Sequence, residues 1–120
     1  MSIERFEQLA VWQKAHALVL EVYKLTETLP AGEKYGLVSQ MRRAAVAVPA
    51  NIAEGFKRRG KPDKARFYNI ADASLEELRY YFILCRDLGF QLDQDSLNRQ
   101  AIEVGKMLTG LTRSVLADER

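Results

Sequence analysis

Along the chain, apolar positions recur at mixed intervals of three and four and almost nowhere alternate, so the pattern predicts helices with one apolar stripe each and no strands. Four segments account for nearly all 120 residues. The first spans about Phe6 to Leu29, with Leu9, Trp12, Ala15, Val19, Val22 and Leu29 on its stripe, and Pro30-Ala31-Gly32 ends it. The second spans about Glu33 to Lys57 on Leu37, Met41, Ala44 or Ala45, Val48, Ile52 and Phe56. The third opens near Pro62, which suits a first helical turn because its missing N–H has no partner to lose there. It runs through Phe67, Ile70, Ala71, Ser74, Leu75, Leu78, Phe82, Cys85 and Leu88 to a C-cap at Gly89. The fourth, with Asp93 or Asp95 as N-cap, follows a strict alternation of four and three in Leu97, Ala101, Val104, Leu108, Leu111 and Val115, a coiled-coil-like seam. Short loops make neighbours in sequence neighbours in space. The expected fold is therefore all-α, an antiparallel up-down-up-down four-helix bundle forming a single domain over residues 1–120.

The second helix breaks the one-stripe rule. From Ala44 to Ala53 the chain reads Ala-Ala-Val-Ala-Val-Pro-Ala-Asn-Ile-Ala, so apolar side chains go all the way round, with Asn51 the one polar exception. A bundle core covers the stripe on Met41, Val48 and Ile52, which leaves Val46, Ala47, Ala50 and Ala53 in need of other cover, most simply a second subunit. Alanines serving only as strong helix formers on an open face are the plainer reading. Pro49 removes a backbone hydrogen bond, is expected to kink the helix, and frees the Ala45 carbonyl, which Asn51 could satisfy. Asn51 could equally fix the register of a subunit interface. Glu54 points off the stripe and is placed to pair with Arg58 four residues on.

Charge changes the picture more than composition does. The formal net charge is +2, yet Lys57, Arg58, Arg59, Lys61, Lys64 and Arg66 put six of the eighteen bases into ten positions against one acid, Asp63. The rest of the chain is left acidic, with twelve bases to fifteen acids. Focused positive charge attracts polyanions, nucleic acid first among them. Gly60 and Pro62 mark a turn inside the cluster, so the patch is expected at an exposed end of a helical hairpin, a geometry for phosphate contact rather than base reading. Arg42 and Arg43 either extend this patch or are merely solvated.

Catalytic chemistry has little to work with. One histidine, His16, and one cysteine, Cys85, form no metal-ligand cluster and no Cys-His or Ser-His pair that spacing supports. Asp72 and Glu76 share a helix face, but no Glu-x-x-His motif accompanies them, and they read as a solvated face or as partners for Arg79 and Tyr80. Gly55 and Gly60 fit no phosphate-loop or dinucleotide fingerprint, and Tyr80, Tyr81 and Phe82 read as core and flank rather than a stacking platform. No cofactor or metal is expected. Without a signal-like opening or a long apolar run, the chain is expected to be cytoplasmic with no membrane partner, and the lone cysteine fits a reducing compartment.

Several motifs in one order carry a resemblance. Leu9-Ala10-Val11-Trp12-Gln13-Lys14-Ala15, Tyr35-Gly36-Leu37, Gln40-Met41-Arg42-Arg43-Ala44-Ala45, Pro49-Ala50-Asn51-Ile52-Ala53-Glu54-Gly55 and Ala73-Ser74-Leu75-Glu76-Glu77-Leu78 together resemble the four-helix-bundle proteins encoded in intervening sequences of bacterial 23S rRNA genes. The resemblance spans the first three helices. It implies a homopentameric barrel and a relationship to the accessory variability proteins of diversity-generating retroelements, which bind nucleic acid and a reverse transcriptase through a basic surface. The expected function is thus a non-enzymatic nucleic-acid-binding oligomer, with RNA preferred on the resemblance alone. Its contacts are Lys57, Arg58, Arg59, Lys61, Lys64 and Arg66, with Arg42 and Arg43, and its oligomer face is Val46, Ala47, Pro49, Ala50, Asn51 and Ala53. A protein-interaction scaffold docking an acidic or reverse-transcriptase-like partner is the alternative.

Overall fold

In the computed structural model, which describes residues 2–117, every regular element is helical. Four α-helices carry the fold: α1 (Ala10–Thr26), α2 (Ser39–Lys57), α3 (Lys61–Asp87) and α4 (Gln94–Ala117), and no strand occurs among the described residues. They enclose one core inside a body of 52 × 24 × 23 Å, with α2 against α3, α3 against α4, and α1 in contact with both α2 and α4. The core takes Val11, Ala15, Leu18, Val19 and Val22 from α1 and Met41, Ala44, Ala45, Val48 and Ile52 from α2. Tyr68, Ala71, Leu75, Leu78, Phe82 and Cys85 come from α3, and Leu97, Ala101, Val104 and Leu108 from α4. No helix is long and apolar enough to cross a membrane.

The first helix is shorter than its periodicity predicts. Leu9 is extended (φ −72°, ψ 127°), so Phe6–Gln8 form a separate 3-10 turn and α1 starts at Ala10. That turn is held by Gln8, whose side-chain oxygen accepts from the backbone N–H groups of Glu4 at 2.8 Å and Arg5 at 2.9 Å. Phe6 then meets Trp12 edge-on at 5.1 Å. At the other end the Thr26 hydroxyl donates to the Val22 carbonyl at 2.7 Å, and α1 stops there, three residues before Leu29. The second helix also starts late. A 3-10 turn (Ala31–Glu33) and a π-helical turn (Lys34–Val38) precede α2, with Leu37 and Val38 already buried.

The other boundaries follow sequence chemistry closely. Gly60 precedes α3, Pro62 lies in its first turn, and Gly89 ends it at φ 84°, where a side chain would be strained. The Gly89 N–H donates to the Arg86 carbonyl at 3.0 Å and the Phe90 N–H to that of Cys85 at 2.9 Å, the two bonds of a Schellman cap. Asp93 caps α4, its Oδ1 accepting from the Ser96 N–H at 3.1 Å.

Candidate functional site

Between α2 and α3 the chain has three residues, Arg58, Arg59 and Gly60. So short a connection keeps the helices together, and Gly55 is where they meet: a Cβ there would lie 2.7 Å from Cε1 and 2.9 Å from Cδ1 of the buried Tyr68 ring. Arg58 caps α2 in extended conformation, its N–H donating to the Gly55 carbonyl at 3.2 Å. The six predicted cations all fall at this end of the molecule, but they do different jobs.

Lys64 serves the fold. Its ammonium donates to the carbonyl of Phe56 at 2.6 Å and lies 3.4 Å from that of Gly55, satisfying acceptors that the end of α2 would otherwise leave open, and it sits 5.3 Å from the Phe56 ring centroid. Burial there lowers its pKa from the ordinary lysine value. Arg58 and Arg66 share Asp63, at 3.7 and 3.1 Å, and both guanidinium groups lie over the Phe67 ring, 4.4 and 4.6 Å from its centroid. The pairing expected between Glu54 and Arg58 is therefore replaced: Asp63 in the first turn of α3 reaches Arg58 instead. Lys57, Arg59 and Lys61 make no ion pair among the described residues, and Lys57 and Arg59 are exposed. No side chain caps the N-terminus of α3, so its first N–H groups also face the turn. The result is a positive end surface with three unpaired cations, two arginines over a phenyl ring, and one internal acid.

Arg42 and Arg43 do not extend this surface. They lie at the start of α2, about 21 Å along the helix from Lys57 at 1.5 Å per residue. Arg42 is a tie between helices, with Nε donating to Thr26 Oγ1 at 2.9 Å and Nη2 to the Tyr23 carbonyl at 3.2 Å, over the Tyr23 ring at 4.5 Å.

The predicted oligomer face is split by the fold. Val46 and Ala50 are exposed and Ala47, Asn51 and Ala53 half-buried, whereas Pro49 is buried within its own chain. Val46, Pro49, Ala50 and Ala53 line one wall of an apolar groove whose other wall is Phe6, Trp12, His16 and Val19. His16 stacks on Trp12 at 5.0 Å. Asn51 donates to the Ala47 carbonyl at 2.8 Å, one turn back, and not to that of Ala45 as expected, because a side chain on a helix reaches most easily to the residue four before it.

The remaining acids have ordinary roles. Glu76 pairs with Arg79 at 3.0 Å and Glu77 accepts from the Tyr81 hydroxyl at 2.7 Å. No group of three metal-ligating side chains occurs among the described residues. Asp72 is held above the usual carboxylate range by burial first and the neighbouring Glu76 charge second. Cys85 is fully buried, with Sγ 3.7 Å from Met41 Sδ, and burial pushes its thiol up.

Sequence reasoning missed Phe67 and Asp63 as organisers of the basic turn, although the adjacency Arg66-Phe67 was a readable signal. The Tyr23 and Thr26 anchors of Arg42 left no signal, since they lie nineteen and sixteen residues away.

The fold is shared with a crystal structure of a protein of unknown function from the S23 ribosomal protein family of Bacteroides thetaiotaomicron. The two are 22% identical with a TM-score of 0.79, over 86% of this chain and 95% of that one. No curated protein matches the chain. The family description 23S rRNA-intervening sequence protein matches residues 7–110, which include the first three helices, most of the fourth and the whole basic turn. The chain therefore belongs to the 23S rRNA-intervening sequence protein family.

Proposed function

We propose that this protein is a non-enzymatic, cytoplasmic nucleic-acid-binding oligomer, an antiparallel up-down-up-down four-helix bundle that holds RNA, or an RNA–protein complex, by its phosphates at the α2–α3 turn. The observation that carries the reading is the division of labour among the six cations: Lys57, Arg59 and Lys61 stand without acidic partners beside two arginines stacked on Phe67. Phosphate contacts of this kind attract without reading sequence. Several subunits would present several such turns, and avidity would multiply weak single contacts. The exposed Val46 and Ala50 in the apolar α1–α2 groove support self-association, and the family resemblance implies a pentamer.

The test is RNA binding measured against salt, with three to five cations engaged per subunit giving a log–log slope of roughly −2 to −4, steeper when subunits act together. Replacing Arg58, Arg59 and Lys61 by Glu abolishes binding and leaves helicity and oligomer mass unchanged, because these side chains lie outside the core. Ala50→Glu dissociates the assembly by burying an unpaired charge. Binding that survived the triple change, or that ignored salt between about 50 and 200 mM, would move the turn's role to docking a protein, such as a reverse-transcriptase-like partner.

A further inference from the structure

The nucleic-acid reading of the α2–α3 turn leaves one motif unused, Tyr35-Gly36-Leu37 with Gln40-Met41-Arg42-Arg43. It lies at the opposite end of α2. There the π-helical turn Lys34–Val38 buries Leu37 and Val38 and leaves Tyr35 89% exposed, the most exposed large apolar side chain described. Beside it runs an open groove lined by Tyr23, Lys34, Tyr35, Val38, Arg42 and Arg43, with Ser39 and Val46 completing the wall. Three cations line it and no acid does.

Each cation is placed differently. Arg42 is fixed by Thr26 and the Tyr23 carbonyl, so its guanidinium backs one face of the ring of Tyr23, a residue 40% exposed. Lys34 has its Nζ 5.6 Å from the Tyr35 ring centroid. Arg43 is exposed and makes no hydrogen bond or ion pair among the described residues. Exposed aromatic rings set among cations, with no acid between them, suit a ligand that carries flat rings and negative charge alternately along its length. A single strand of nucleic acid is that ligand: its bases stack on aromatic rings and its phosphates pair with the cations. An acidic peptide would use Lys34 and Arg43 but has no systematic partner for two tyrosine rings.

We propose that this groove is a second nucleic-acid contact, one that stacks unpaired bases of a single strand on Tyr35 and Tyr23 while Lys34 and Arg43 hold the flanking phosphates. The proposal rests on the nucleic-acid reading of the basic turn and adds a preference for base-bearing, unpaired strands that a phosphate-binding turn does not supply.

The probes are an oligouridylate of roughly a dozen nucleotides and the same sugar–phosphate chain made without bases, titrated against the full-length oligomer at one salt concentration. The wild-type protein binds the base-bearing strand about tenfold or more tighter than the abasic one. Tyr35→Ala brings the two affinities close together without changing helicity, since Tyr35 packs against almost nothing, and Tyr35→Phe keeps the difference. The triple substitution at the basic turn weakens both strands and leaves their order unchanged. Equal affinity of the wild-type protein for the two strands overturns the stacking groove and leaves the basic turn standing. So does a ratio that Tyr35→Ala does not move, or an assembly mass that it does, which would make this surface a protein contact. Failure of both strands to bind overturns the function proposed for the turn together with this one.

Discussion

Replacing Gly55 by alanine sets two effects of opposite sign against each other. In a free helix alanine is favoured over glycine by up to about 1 kcal/mol, so propensity alone predicts a more stable protein. Against this, the new methyl would lie 2.7 and 2.9 Å from carbons of the Tyr68 ring and 3.0 Å from Phe67 Cβ. Tyr68 is 2% exposed, so relief must come either from displacing a buried ring toward the small cavity it lines with Asp72 and Leu108 or from separating α2 and α3. Overpacking of this kind costs about 1–3 kcal/mol, which leaves a net loss of up to about 2 kcal/mol. At an unfolding entropy of about 2.1 cal/mol/K per residue, that lowers Tm by up to about 8 °C in a chain of 120 residues. The assay is thermal unfolding followed by circular dichroism at one fixed protein concentration, because self-association would otherwise shift Tm by mass action. In a Tyr68→Leu background, where the ring edge is gone, the same alanine should be neutral or stabilising, and the coupling between the two changes isolates the clash. A higher Tm for Gly55→Ala in the wild-type background would refute the close approach of the two helices.

Two further substitutions separate structure from binding. Lys64→Ala should cost about 1 kcal/mol by stranding the Phe56 carbonyl, seen as a lower urea midpoint, while the salt slope of RNA binding stays where it was. Lys61→Ala should do the reverse, leaving stability within about 0.5 kcal/mol and making the slope shallower by about 0.7 to 0.9 per site engaged. Asp72 has its folded-state pKa raised, by burial and then by Glu76, so its protonated form suits the fold better than its carboxylate. Its contribution is therefore favourable at low pH and is lost as pH rises through the folded-state value. Asp72→Asn should consequently stabilise the protein slightly at pH 7 and give no gain at pH 3, read as the difference between the two urea midpoints.

Helix content was legible because burial follows the three-and-four spacing, and the seam of Leu97, Ala101, Val104 and Leu108 is fully buried. Helix ends were legible where one residue decides them locally, as at Gly89 and Asp93. They were not legible where a side chain turned on its own backbone, as Gln8 does before α1 and Thr26 at its end. The stripe on α3 also passed over Tyr68, whose ring is buried against Gly55, a neighbour thirteen positions away. The candidate site shows the same division. Clustered charge located the turn, but which cation serves the fold depends on contacts that exist only once α2 and α3 have packed together. Lys64 reaches back eight residues to Phe56 and Arg42 sixteen to Thr26, and spacing along the chain carries no mark of either.

The sharing of Asp63 by Arg58 and Arg66 gives the basic turn a resident counterion. A phosphate arriving at either arginine exchanges one anion for another and releases a carboxylate that stays tethered, not a salt ion that diffuses away. The freed carboxylate holds a cation of its own, so Arg58, Arg66 and Asp63 together count as one net positive charge, and the salt dependence comes chiefly from Lys57, Arg59 and Lys61 and lies toward its shallow end. The tethered carboxylate also remains next to the phosphate as a standing competitor. Each turn is thereby built for quick exchange, and any long-lived hold on a nucleic acid has to come from the number of turns engaged at once.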